Sequence, residues 1–294
     1  MADVTTTARL RALVELADTG SVRAAAVRLF VTEASVSAAV TALARDVGVP
    51  LVEKNGRGIR LTESGQVYAR YARTILGLQD EALSAARGEK SPETGLVRLA
   101  AATTAGERLL PDLLAAFRAA HPGIDLRLNV APRDEVWRML EHHEVDLAMA
   151  GRPPEQLSLT IRATRANTLV VVGSPDLLAD FSPGLATWLL REDGSGTRAA
   201  CLGLLTALEA RPPVLTLGSN GAVVAGAVAG LGVTLVSRDA VQGECRSGKL
   251  IELPMNGTPL DRPWHAVTHA ELTPSVGLFL RQLTRDGRWR RSSG

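Results

Sequence analysis

Between residues 194 and 198 the chain reads Gly194-Ser195-Gly196-Thr197-Arg198, placing two hydroxyls and a guanidinium within five residues. The two glycines let the backbone fold into a nest of amides, and such a nest with Ser195, Gly196, Thr197 and Arg198 would hold a carboxylate or phosphate. Thr103-Thr104 precede a helical pattern through Leu109, Leu113 and Phe117, where free amides and two hydroxyls offer a second anion-binding loop. Asn220, opening another helix after a strand, and Ala131-Pro132 are weaker candidates of the same kind. For either main loop alone, ordinary helix capping accounts for the residues equally well. Lys54, Arg57 and Arg60 suggest a different chemistry, because they flank Asn55-Gly56 in the segment from Leu51 to Leu61. Asn-Gly between short strands signals a tight hairpin, and a basic hairpin would meet phosphates or a narrow minor groove.

The remaining reactive residues form no constellation. His142 and His143 are neighbours on a helix and point apart, so they cannot make an i, i+4 metal pair. His121, His265 and His269 stand without a carboxylate or cysteine cluster, and no metal or cofactor is expected. Cys201 lies among small apolar neighbours and reads as a buried structural thiol; Cys245 is far along the chain, and no Cys-x-x-Cys occurs. The stretch from Gly184 to Arg198 contains serine without the strand-turn surroundings of a nucleophile elbow. No catalytic residue is assigned, and the chain is not expected to be an enzyme.

The elements that must position these residues begin with helices. Leu10, Leu13, Val14 and Ala17 give one apolar face, Gly20 can end that helix, and Ser21 can cap the next, from about Val22 to Leu29. Thr32 caps a third, whose Val36, Val40, Leu43 and Val47 make a single buried stripe. Two short helices joined by a tight turn form a helix-turn-helix, whose second member can enter the DNA major groove. Its outward face carries Glu33, Ala34, Ser37, Ala38, Thr41 and Arg45. The basic hairpin after it reads as a wing. Thr62 then caps a helix from about Glu63 to Ala86, on which Val67, Tyr71, Ile75, Leu78 and Ala82 form a stripe. That stripe suits pairing with a second copy, or packing against the chain's own first helices. Beyond the polar stretch Gly88–Gly95, strand and helix patterns alternate, favouring an α/β sandwich with mostly parallel sheets.

Composition sets the bounds. The length of 294 residues suggests two units, and 46% hydrophobic with 22% charged residues excludes a largely disordered chain. A net charge of +2 excludes a uniformly basic coat, yet from Ser21 to Tyr71 seven basic residues face four acidic ones. Aromatics at 3% are too few for a base-stacking single-strand platform. The start lacks the basic and apolar run of a signal peptide, and the longest apolar stretch, Gly221 to Val236, falls short of the roughly 20 residues of a membrane span. A soluble, cytoplasmic chain is the expectation.

Taken in order, Ser21-Val22-Arg23-Ala24-Ala25-Ala26, Val31-Thr32-Glu33-Ala34-Ser35-Val36-Ser37, Leu43, Gly48-Val49-Pro50-Leu51, Arg57 and Leu61-Thr62-Glu63-Ser64-Gly65 resemble the LysR-type transcriptional regulators. The resemblance extends over the whole chain. It implies α/β architecture with an all-helical winged helix-turn-helix N-terminal domain (1–62), a linker and dimerisation helix (63–88) and an effector domain (95–294). The effector domain would have the two-lobed type 2 periplasmic-binding-protein fold, lobe I about 95–164 and 264–294, lobe II about 165–263, crossing near Arg162–Asn167 and Pro259–Pro263. DNA contacts would come from Ser21, Arg23, Thr32, Glu33, Ser35, Ser37, Thr41, Lys54, Arg57 and Arg60, and dimerisation from Val67, Tyr71, Ile75 and Leu78. The family usually has glutamine at Glu33 and a polar pair at Ala38-Ala39, so base reading here falls mainly on Ser37, Thr41 and Glu33. The implied partners are double-stranded DNA, a small anionic effector at Thr103, Thr104, Ser195, Gly196, Thr197, Arg198 and Asn220, further copies in a homodimer or homotetramer, and RNA polymerase if the chain activates. The competing readings are an enzyme with the N-terminal helices as a dimerisation module, and a free solute-binding protein.

Overall fold

The computed structural model describes residues 6–55, 58–88 and 93–292. The chain divides into two compact units, Met1–Ala86 with Glu141–Glu144, and Arg87–Leu140 with Val145–Gly294.

The first unit opens with α1 (Thr7–Thr19), α2 (Val22–Leu29) and α3 (Glu33–Val47). Gly20 ends α1 at φ 63°, in the left-handed region that glycine enters at no steric cost. The Ser21 side chain caps α2 and that of Thr32 caps α3, accepting from Ala24 N–H at 3.4 Å and Ser35 N–H at 3.1 Å. Leu10, Leu13, Leu16, Ala25, Ala26, Val36, Val40 and Leu43 form the buried core, whereas Val14, Ala17, Leu29 and Val47 only border it. Strands β1 (Val52–Asn55) and β2 (Gly58–Leu61) pair antiparallel, so the domain is not purely helical. Asn55 sits opposite Gly58 and is a strand end rather than a central turn residue; Gly56 and Arg57 lie outside the described residues.

Helix α4 (Glu63–Gly88) starts where the Thr62 hydroxyl accepts from Gly65 N–H at 2.9 Å and donates to the Pro50 carbonyl at 2.8 Å. At 26 residues it is about 39 Å long. Its small-residue side, Ala69 and Ala72 with Tyr68 and Leu76, packs into the core of the unit. The stripe Val67, Tyr71, Ile75 and Leu78 is exposed, Tyr71 by 67%.

The second unit runs in chain order through β3 (Gly95–Ala102), α5 (Leu110–Ala120), β4 (Ile124–Ala131), α6 (Arg133–Glu141), β5 (Leu147–Ala150), β6 (Thr160–Arg165) and β7 (Thr168–Gly173). It continues with β8 (Trp188–Leu190), α7 (Gly196–Ala207), β9 (Val214–Thr216), α8 (Asn220–Val228), β10 (Thr234–Ser237), α9 (Gln242–Arg246), β11 (Ile251–Glu252) and β12 (Leu260–Asp261). It closes with β13 (Trp264–Thr268), α10 (Pro274–Leu283) and β14 (Arg290–Arg291). One sheet has the order β14-β6-β13-β5-β3-β4; in the other, β7 pairs with β10, β11 and β12, while β8 pairs with β9. The sheets are mixed rather than mostly parallel. β3 is parallel to β4 and β5, and β8 to β9, but β13, β6 and β14 pair antiparallel, as do all partners of β7. The reason is the two passages between sheets, β6 to β7 and β12 to β13, each only two residues long. The chain leaves one sheet at Arg165, the end of β6, and re-enters it directly opposite at Trp264, the start of β13, so β13 runs antiparallel to β6, and β12 to β7 likewise. Strands β5 and β13 are buried along their whole length, which explains the uninterrupted apolar sequence of β5, while β13 buries His265 and Thr268 among its apolar residues. Among the described residues no single helix is long and apolar enough to cross a membrane.

Candidate ligand cleft and nucleic-acid interface

In the second unit, Thr103, Thr104, Ser195, Gly196 and Thr197 line one cleft, so the two loops singled out by their hydroxyls do meet. Thr103 and Thr104 begin a helical segment that passes through a π-turn, Ala105–Leu109, before α5. Ser195 caps α7, accepting from Arg198 N–H at 3.4 Å, and Gly194 before it has φ 79°. The cleft's free volume is about 50 Å³.

The positive charge comes from other arginines than expected. Arg198 turns away, donating to the Arg191 carbonyl at 2.8 Å and Thr216 Oγ1 at 3.3 Å and pairing with Asp193 at 3.1 Å. Standing in the first turn of α7, it ties the edge of β8 and β9 rather than facing the cleft. The lining guanidiniums are Arg133, Arg191 and Arg262, and no aspartate or glutamate lines the cleft among the described residues. Buried Arg191 closes β8 and donates to Thr103 Oγ1 at 3.2 Å, Asn220 Oδ1 at 3.3 Å and Glu192 at 2.6–2.7 Å. Burial alone would raise the Glu192 pKa, but the Arg191 hydrogen bonds and charge lower it on balance. Asn220 therefore supports Arg191 rather than lining the cleft itself. Arg133, first residue of α6, donates to the Arg152 carbonyl at 2.7 Å and to Asp134 at 3.1 Å, while its buried Nε has no hydrogen-bond partner among the described residues. Burial, and then the neighbouring Arg133 charge, lower the Arg262 pKa below the ordinary guanidinium value. Cations held together with no lining carboxylate favour an anion between them.

Asn167 forms the cleft floor and joins the two inter-sheet passages. Ser237 Oγ donates to Asn167 Oδ1 at 2.6 Å, Asn167 Nδ2 donates to the Arg262 carbonyl at 2.8 Å, and Arg262 N–H returns a bond to the Asn167 carbonyl at 2.9 Å. Arg133, Asn167, Arg191, Ser237, Arg262 and Trp264 were not singled out from sequence. Two had local signals: Arg133 opens the helix after Ala131-Pro132, where a cation is disfavoured by the helix dipole, and Arg191 ends an apolar strand.

His265, buried in β13 beside Trp264, has its pKa lowered by burial and by Arg152, against the Pro263 carbonyl, which favours the charged form. An imidazole so placed binds its proton less readily folded than unfolded. Its contribution is whole above the unfolded value of 6.5 and is lost as pH falls from there through the lowered folded value. Denaturant titrations from about pH 7.5 down to about pH 5 should show this acid limb, flattened in His265→Gln; equal slopes in both chains would refute it. Cys201, buried in α7, is pushed up to about 12 by burial, against the Leu235 backbone hydrogen bond and Arg198, and is a poor nucleophile at neutral pH.

In the first unit, Glu33, Ser37 and Thr41 are exposed along one side of α3, together with Ala34, Ala38 and Arg45. Ser21, Thr32 and Ser35 are exposed but engaged in capping, the Thr32 and Ser35 hydroxyls lying 2.8 Å apart. Arg23 is exposed and makes no ion pair among the described residues. On the hairpin, Arg60 pairs with Glu53 directly across the strands at 2.7 Å, which leaves Lys54 as the uncompensated cation among the described residues there.

Comparison with known proteins follows the same division. A sequence profile for the bacterial regulatory helix-turn-helix protein, lysR family, matches residues 7–66, and one for the LysR substrate binding domain matches residues 90–288. The HTH-type transcriptional regulator CfxR of Cupriavidus necator is 34% identical over 265 residues, covering 87% of this chain and 83% of its own. Full-length CbnR complexed with its target DNA superposes with a TM-score of 0.66 at 22% identity, over 95% of this chain and 99% of CbnR. The regulatory domain of Synechocystis CcmR, in complex with 2-PG, is 30% identical with a TM-score of 0.59, over 66% of this chain and 99% of that domain.

Proposed function

The chain belongs to the LysR family of bacterial transcriptional regulators, and from that premise we propose how it works: α3 and the wing bind duplex DNA, two copies pair along α4, and the cleft takes a small anionic metabolite. The observation that carries the ligand class is the convergence of Arg133, Arg191 and Arg262 with the Thr103, Thr104, Ser195 and Thr197 hydroxyls, with no lining carboxylate among the described residues. A small acid with more than one negative charge suits that field, and 2-PG on CcmR supports the choice. The ligand regulates by binding two arrangements of the assembly unequally. The reading is of a non-catalytic, cytoplasmic protein with a DNA-binding domain over 1–62, a linker helix over 63–88 and an effector domain over 95–294. An activator would engage RNA polymerase as well.

Pairing along α4 is supported by the exposed stripe Val67, Tyr71, Ile75 and Leu78, set opposite the side that α4 already buries. Glutamate at both Tyr71 and Ile75 should turn a dimer into a monomer in sedimentation and weaken DNA binding with it. An unchanged sedimentation coefficient would remove α4 from the interface.

The decisive experiment has two arms on the full chain. Fluorescence anisotropy against the DNA upstream of its own gene, with a scrambled control across a salt series, should give sequence preference. Calorimetry with 2-phosphoglycolate, and with inorganic phosphate as the control, should give saturable binding stronger for the former. Absence of heat with either anion would reject the anion cleft, and equal affinity for both duplexes would reject base reading at that site.

A further inference from the structure

Of the four phenylalanines, Phe117 and Phe279 are fully buried and Phe181 is partly buried in a core, whereas Phe30 is 96% exposed. Its backbone adds to the anomaly. Phe30 ends α2 at φ 57°, the left-handed conformation normally left to glycine or asparagine, and hydrogen bonds fix it there: Phe30 N–H to the Val27 carbonyl at 3.3 Å and Val31 N–H to the Ala26 carbonyl at 3.0 Å. A bulky ring is therefore held in a strained position where it packs on nothing among the described residues. Val27, 69% exposed, and Val31, 47% exposed, extend the apolar surface.

We propose that Phe30, flanked by Val27 and Val31, contacts a thymine 5-methyl in the major groove and so contributes to base reading. This rests on the reading of α3 as the DNA-facing helix. Three observations support it. The chain is exposed at Val27 and Arg28 and again, after half-buried Leu29, at every residue from Phe30 to Ser35, so the run of exposed residues leads directly into the start of α3. Helix α3 offers few hydrogen-bonding side chains there, with Ala34 and Ala38 exposed and the Thr32 and Ser35 hydroxyls engaged with each other. The apolar mark that distinguishes a base pair in the major groove is the thymine methyl, to which a phenylalanine can be matched. Arg23, exposed on the same short α2 and without an ion pair among the described residues, supplies charge for a neighbouring phosphate.

The test uses the full chain and a duplex it selects from a randomised library, with Phe30→Asn and Thr41→Ala made in parallel. Asparagine suits the left-handed position, so the variant keeps its fold, which melting and sedimentation check. The expected result is binding about ten-fold weaker for Phe30→Asn with the salt slope unchanged, since an apolar contact releases no counterions. Replacing the thymines of the duplex by deoxyuridine should cost the parent chain the same factor and Phe30→Asn nothing, the mark of a coupled pair. A loss indifferent to deoxyuridine would overturn the thymine assignment. Undiminished binding by Phe30→Asn beside weakened Thr41→Ala would overturn the inference alone; undiminished binding by both would overturn the α3 reading with it. A change in sedimentation with unchanged affinity would assign Phe30 to a protein contact and overturn it equally.

Discussion

Alanine at Gly65 is expected to unfold the first unit and leave the second standing. A Cβ at this position would lie 1.9 Å from the Leu51 carbonyl oxygen and 2.8 Å from the carbonyl carbon, where no side-chain rotation can relieve the clash. The same carbonyl accepts Thr62 N–H at 3.1 Å, and the Thr62 hydroxyl bridges Pro50 and Gly65, so helix start and strand entry are locked together. Leu51 is itself fully buried in the core shared by α1, α3 and α4. Overpacking usually costs about 1–3 kcal/mol and more against backbone, while a unit this small holds only roughly 5–10 kcal/mol in total. Calorimetry should show the transition of the first unit lowered by about 10–20 °C or gone, with that of the second unchanged. An unshifted first transition would show the backbone yielding cheaply, contrary to this account.

Arg133→Gln should have two effects of opposite sign. Arg133 offers a charged group whose buried Nε lacks a partner among the described residues, and it stands near enough to Arg262 to depress the pKa of that residue. Losing a charge-assisted hydrogen bond to a bound anion costs about 1.5–3 kcal/mol, so affinity for 2-phosphoglycolate should fall about ten- to hundred-fold. Without ligand, removing one of two like charges relieves repulsion, and the second unit should melt at the same temperature or slightly higher. Melting curves with and without the ligand read both effects at once. A variant that melts lower unliganded and still gains the full ligand shift would mean that Arg133 is structural.

The elements that proved easiest to read are those whose signals lie within a few residues. Ser21, Thr32 and Thr62 cap the helices they precede, and Ala25, Ala26, Val36, Val40 and Leu43 point inward as their spacing requires. The stripe on α4 was also legible, but its fate was not: periodicity marks an apolar face without saying whether it is the covered one, and here Ala69 and Ala72 are covered instead. The hydroxyl loops of the cleft could be found because glycine, serine and threonine announce a helix start locally. Arg191, Asn167, Ser237 and Arg262 could not, because they meet only after the chain has passed between the sheets twice. Arg198 misled for the reverse reason, since a local motif gives a residue's position but not the direction of a long side chain.

The Asn167 linkage has a mechanical consequence. The two passages between the sheets are tied to each other at Asn167, between the β7–β12 and β6–β13 ladders, and Arg262, which helps line the cleft, belongs to the tied pair. An anion that grips Arg262 therefore pulls at a fulcrum rather than at the rim of a jaw. Work done there would act through a short arm, so a small displacement at the pivot would be carried outward in proportion to distance and grow toward the far edge of either sheet. A ligand of few atoms can in this way drive a rearrangement much larger than itself.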